Sequence, residues 1–224
     1  MSKSETEAER LKRLKGQAKK VVRQLKHDFP EAECALHYET PFQLLVATIL
    51  SAQCTDVRVN IVTKDLFAKF PDAESMAAAP LPVLEKLVQS TGFFRNKAKN
   101  IKAASTAIVE QHEGELPQDL ASLTALPGVG RKTANVVLGT AFGIPSGVVV
   151  DTHVGRLSRR MGLTESEDAV RAERDLMQLL PAKEWIDFSH RMIHHGRQVC
   201  GARRPKCEVC SFARFCPKVG VELR

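Results

Sequence analysis

Apolar residues recur along this chain at intervals of three and four, and no stretch alternates apolar with polar residues for long. Helices are therefore expected and strands are not. After Pro41, a good first-turn residue, Leu44, Leu45, Val46, Ile49 and Leu50 predict a buried helix. Val57, Ile61, Val62, Leu66 and Phe70 carry the pattern on to Pro71. Residues 82–89 read as a short helix, and Ile101, Ala104, Ile108 and His112 mark one face of another. Residues 119–126 form a short helix stopped by Pro127, and 132–142 the next. A helix opens at Asp151 and runs through Met161, where Gly162 ends it. Residues 169–180 and 185–198 complete the set. The prediction is an all-α fold of roughly ten short helices, too many for a simple bundle. No repeat or low-complexity linker interrupts it.

Length and composition narrow this picture only a little. The 224 residues suffice for one large domain or two small ones, and 43% hydrophobic with 26% charged residues is ordinary for a globular chain. The longest uncharged run, 133–150, contains Gly139, Gly143, Pro145 and Gly147, so it reads as a helix, a break and a short apolar segment, not a membrane span. The polar, charged N-terminus offers no apolar core for a secretory signal, so an intracellular protein with no membrane contact is expected.

Charge changes the picture more. The chain carries a net +7. Residues 1–30 hold nine basic and four acidic side chains, and residues 191–218 hold seven basic and one acidic. Positive charge is thus concentrated in two terminal segments, which would form one basic face if the termini pack together. Such a face suits a polyanion, nucleic acid being the common one, or serves only solubility.

Four features carry candidate chemistry. Cys200, Cys207, Cys210 and Cys216 fall within seventeen residues, with intervals of six, two and five between them. Without a secretion signal a disulfide framework is not expected, and four clustered thiols point to a metal. They could close a tetrahedral zinc site or hold a [4Fe–4S] cluster, and the single Cys-x2-Cys pair with unequal outer intervals favours the cluster. The second motif, Leu126-Pro127-Gly128-Val129-Gly130-Arg131-Lys132, lies between two predicted helices. Its glycines permit a tight hairpin whose amides, with the following helix N-terminus, suit a phosphate. Third, Lys132 opens a helix beside Arg131, where dipole and neighbouring cation should favour a neutral, nucleophilic amine. A plain phosphate contact is the simpler role for it. Asp151, before a helix in Val150-Asp151-Thr152-His153, is either an N-cap or a carboxylate beside a reacting centre.

Together with Leu50-Ser51-Ala52-Gln53 and His195-Gly196-Arg197, these motifs resemble the endonuclease III family of helix–hairpin–helix DNA glycosylases, from about residue 12 to 218. The resemblance implies a six-helix barrel domain over 35–146 and a discontinuous iron–sulfur domain from 1–34 and 147–224, with double-stranded DNA in the cleft between them. It further implies a monomeric, cytoplasmic, nucleoid-associated enzyme of base excision repair that removes oxidised pyrimidines such as thymine glycol. Lys132 and Asp151 would be catalytic. Gly128, Val129, Gly130 and Arg131 would bind the DNA backbone, with His153 nearby, and Arg203, Arg204 and Lys206 would meet phosphates. The four cysteines would hold a [4Fe–4S] cluster that shapes the loop 201–206. Gln53 and Phe93 would fill the gap left by an extruded base. The loop Thr91-Gly92-Phe93-Phe94 departs from the best-known members, which carry aliphatic residues at Thr91 and Phe93. The basic extension before Leu14 falls outside the shared core, with DNA proximity or disorder expected for it. An adenine-mismatch glycosylase of the same superfamily would be longer and would lack a lysine at position 132. A non-catalytic DNA-binding module with structural zinc is the alternative of another class.

Overall fold

A computed structural model describes residues 5–222. Eleven α-helices and three single 3-10 turns form among them, with no strand beyond one isolated antiparallel bridge between Cys200 and Pro205. The chain divides into two compact units, Cys34–Ser146 and the discontinuous pair Met1–Glu33 with Gly147–Arg224. Residues 1–4 and 223–224 of the second unit lie outside the described residues.

The first unit holds α2 (Pro41–Leu50), α3 (Asp56–Lys69), α4 (Ala73–Ala78), α5 (Leu81–Val88), α6 (Phe94–His112), α7 (Leu120–Ala125) and α8 (Arg131–Phe142). Helix α2 is its centre. Nine of its ten residues are buried, because the run Phe42 to Leu50 is apolar all round except for Gln43 and Thr48. Leu44, Leu45, Val46 and Ile49 on α2 share one core with Val59 and Leu66 of α3, Ile101 and Ile108 of α6, and Val137 and Leu138 of α8. Caps set the starts of several elements: Thr40, Thr55, Asp72 and Asp119 each accept a backbone N–H from the first turn that follows.

The second unit holds α1 (Glu7–Asp28), α9 (Thr152–Arg160), α10 (Ala169–Leu179) and α11 (Trp185–Gln198), then the cysteine-bearing segment. Ala18, Val21 and Leu25 of α1 share a core with Val154, Leu157, Leu176, Phe188, Met192 and Phe212.

Two helices were not legible in the pattern of apolar residues. The six residues of α4 are mostly alanine and too few to show a period; Asp72 and Ser75 define it by a reciprocal capping box. In α1, the charges hid a clear stripe at Leu11, Leu14, Ala18, Val21 and Leu25. The extension before Leu14, for which DNA proximity or disorder was expected, is helical from Glu7. Thr6 and Glu9 cap each other's backbone, at 3.3 and 2.9 Å, and Arg13 forms a bidentate pair with Glu5 at 2.8 and 2.9 Å. No helix among the described residues is long and apolar enough to cross a membrane.

Candidate functional site

In the first unit, α7 and α8 are joined by Leu126-Pro127-Gly128-Val129-Gly130. Leu126 and Val129 are buried and pin the hairpin to the core, and the Val129 amide closes the turn onto the Leu126 carbonyl at 3.1 Å. Gly128 has φ +76°, and a Cβ there would stand 2.6 Å from Cβ of Asn100. Both its conformation and its clearance therefore demand glycine. Gly130 is the N-cap of α8, and no side chain caps this helix. Its N-terminal amides and dipole suit an anion. Lys132, the second residue of α8, is exposed, as is Arg131.

The same unit presents Gln53 and Phe93 from two short connections. Gln53 follows α2 with φ +53°; Phe93 precedes α6 with φ +46° and is 67% exposed. Left-handed backbone at a non-glycine residue is uncommon and costs energy. At that exposure Phe93 is no part of the core. Between these connections lies a residue the sequence reading missed. Lys97 of α6 is 5% exposed and donates from Nζ to the Leu50 carbonyl at 2.9 Å and the Thr91 carbonyl at 2.7 Å. Its signal was available, since Lys97 falls in register with Ile101, Ala104 and Ile108 on the buried face of α6.

In the second unit, Asp151 is the N-cap of α9, its Oδ1 accepting the Val154 amide at 2.7 Å. Two residues on, His153 is half-buried, and burial pushes its imidazole below the ordinary range, with the Asp151 carboxylate opposing. A Cβ at Gly196 would stand 2.8 Å from His153 Nδ1, which accounts for the glycine between His195 and Arg197. Arg156 secures this junction, donating to the carbonyls of Gly196 at 3.2 Å and Cys200 at 2.9 Å.

Cys200, Cys207, Cys210 and Cys216 line one hollow together with Arg160, His195 and Phe212, with about 350 Å³ of empty space including its open mouth. Nη1 of Arg160 lies 3.3 Å from the Cys200 sulfur, and Nε2 of His195 lies 3.9 Å from that of Cys210. No three His, Cys, Asp or Glu side chains among the described residues converge as they would on a single metal ion. Burial pushes the thiols of Cys210 and Cys216 up, and the other cysteines push the same way.

The loop 201–206 is closed by the Cys200–Pro205 bridge and by the Lys206 amide on the Val199 carbonyl at 3.0 Å. Arg160 holds its backbone through the carbonyls of Gly201 and Ala202, at 2.8 and 2.7 Å. Arg203 and Arg204 are exposed. The Lys206 amine, expected to reach phosphate, donates to the Gln198 carbonyl at 3.1 Å and so has a backbone partner already.

Comparison with known proteins identifies the family. Residues 46–182 match the HhH-GPD superfamily base excision DNA repair protein family. Endonuclease III of Synechocystis sp. is 57% identical over 203 residues, covering 91% of this chain and 93% of its own length. Two solved structures superpose with a TM-score of 0.87. One is a non-covalent endonuclease III–DNA complex, 44% identical, covering 91% of this chain and 95% of its own. The other is a trapped endonuclease III–DNA covalent intermediate, 43% identical, covering 91% and 96%. The chain belongs to the endonuclease III family, the DNA glycosylase/AP lyases of the HhH-GPD base-excision-repair superfamily.

Proposed function

We propose that this enzyme excises oxidised pyrimidines of the thymine glycol type from double-stranded DNA and then cuts the strand, with Lys132 as the nucleophile. The observation that carries this reading is the exposed Lys132 amine, one residue into an uncapped helix that follows the glycine hairpin. A covalent DNA intermediate of a relative 43% identical is in keeping with it.

The damaged nucleotide must leave the stack before its sugar can be reached. The hairpin amides at Gly128, Val129 and Gly130, with Arg131, hold the backbone phosphates, and Gln53 and Phe93 occupy the vacated space. Nζ of Lys132, as the neutral amine, attacks C1′ while the bond from C1′ to the base breaks and the base leaves with a proton. Loss of the amine's remaining proton and opening of the sugar give an imine to C1′. Removal of a proton from C2′ then expels the 3′ phosphate by β-elimination. The Asp151 carboxylate stabilises positive charge developing on the sugar and takes up the lysine proton, a role worth roughly 10²–10⁴ in rate. Its bond to the Val154 amide fixes its direction. His153, Arg203, Arg204 and Lys206 add contacts to the DNA.

Cys200, Cys207, Cys210 and Cys216 fit a [4Fe–4S] cluster. All four cysteines line one shared hollow, and the fourfold soft donor set suits iron. When bound, the cluster would supply a rigid anchor for the loop 201–206, and the reaction steps belong to Lys132 and Asp151.

Borohydride reduction during reaction with duplex DNA containing thymine glycol tests the reading. It should yield a protein–DNA adduct with the wild-type chain and none with Lys132→Ala. Base release without any trapped adduct would remove Lys132 from the nucleophile's role.

A further inference from the structure

We propose that Lys97 is a positioning residue for base extrusion, its buried side chain tying the two connections that carry Gln53 and Phe93 to a single point. This rests on the reading of Gln53 and Phe93 as the side chains that fill the vacated stack.

The position itself is unusual. Lys97 lies in register with Ile101, Ala104 and Ile108, where an aliphatic residue would serve the core equally well. Burial pushes its ammonium below the ordinary lysine range, and the Cys54 sulfur nearby opposes that only in part. A cation kept where burial works against it needs compensation, and the partners supply it. Leu50 is the last residue of α2, and Thr91 closes the 3-10 turn Gln89–Thr91. Carbonyls at helix ends lack intrahelical partners and carry the negative end of the dipole. One ammonium satisfies both, at 2.9 and 2.7 Å.

What departs from those two ends gives the clamp its significance. Gln53 lies three residues beyond Leu50, and Phe93 two residues beyond Thr91. Both are left-handed, and Gly92 between Thr91 and Phe93 has φ +72°. Such backbone persists only where its surroundings over-determine it. Lys97 adds a third tie, its own amide donating to the Phe93 carbonyl at 3.1 Å. A side chain that is to displace a stacked base works best when its direction is already fixed, because ordering it during extrusion costs entropy. Lys102, also on α6, provides the contrast. Its Nζ donates to the carbonyls of Ala77 and Ala79 where α4 ends, and no residue expected to touch DNA departs from there.

The test compares single-turnover base release from thymine glycol in paired duplex with release from the same lesion in an unpaired bulge. Full-length wild type, Lys97→Met, Lys97→Gln, Lys102→Met and Phe93→Ala are assayed, with thermal unfolding of each. Lys97→Met should lose about tenfold or more on paired duplex, within the range a stacking side chain supplies, and much less on the bulge. Adding Phe93→Ala to Lys97→Met should cost little further, because both act through one element. Lys102→Met should lower the unfolding temperature without separating the two substrates. Equal losses on both substrates, additive losses in the double variant, or failure of both Lys97 variants to fold would make Lys97 a core residue and overturn the proposal. If Phe93→Ala does not distinguish the substrates, the plug reading falls first. If it does and Lys97→Met does not, only the clamp falls.

Discussion

Lys132 and Asp151 make different demands on the fold, and that difference makes their roles separable. Lys132 is exposed, and surface substitutions usually change stability by no more than about 0.5 kcal/mol. Lys132→Ala should therefore unfold at the wild-type temperature and bind undamaged duplex normally, while base release and strand cleavage disappear. Asp151 caps α9, so alanine would confound chemistry with the loss of a cap worth about 1 kcal/mol. Asparagine caps about as well, so Asp151→Asn should leave the unfolding temperature in place and lower base release by about 10²-fold or more. Unchanged base release in the asparagine variant would reduce Asp151 to a cap. The capping half of this was legible in the sequence, since an Asp ahead of a periodic apolar run is a common helix start. The left-handed backbone of Gln53 and Phe93 was not, because nothing in a glutamine or a phenylalanine codes for positive φ. Lys97 escaped for the opposite reason: a lysine on an apolar stripe is easily passed over as an exception.

At the level of elements, the hairpin between α7 and α8 is shaped by two glycines with different reasons to be there. Gly128 combines φ +76° with Asn100 at 2.6 Å from a would-be Cβ, whereas Gly130 has negative φ and open space around it. Gly128→Ala should destabilise the protein by about 1–3 kcal/mol through strain and overpacking. Gly130→Ala should cost only the modest loss expected for alanine at an N-cap, less than Gly128→Ala, so a larger effect on DNA binding reports the close approach of phosphate to the backbone. Equal unfolding temperatures for the two variants would contradict this account of the turn. Most helices could be read from the three-and-four spacing of apolar residues, with α6 and α8 clear because their stripes are long or bounded by glycine and proline. Helix α4 has too few residues for a period, and α1 was read through its charges although its apolar stripe runs from Leu11 to Leu25.

Across the whole molecule, both basic segments of the sequence belong to one compact unit, the one that contains residues 1–33 and 147–224. Arg203 and Arg204 are exposed on the loop held by Arg160, beside Lys206, whose amine is tied to the Gln198 carbonyl. Replacing both with glutamine should weaken binding to every DNA sequence alike, and the log–log salt dependence should flatten by about 0.9 for every phosphate no longer neutralised. An unchanged slope would show that these arginines do not pair with phosphate. The all-α class and the family were legible because cysteine spacing, hairpin and helix pattern agree with one another, while the division into units entered only through the resemblance, because it depends on long-range packing that spacing does not encode. The purified protein should absorb broadly in the visible blue, and exchange of each cysteine for serine should abolish that absorption along with the order of the loop. The central claim, that Lys132 bonds covalently to the damaged nucleotide, is tested most directly by borohydride trapping on duplex DNA carrying thymine glycol, followed by peptide mapping of the adduct. The account predicts a single cross-linked peptide with the sugar on Lys132, absent in Lys132→Ala. An adduct on another residue, or an undiminished adduct in that variant, would contradict it.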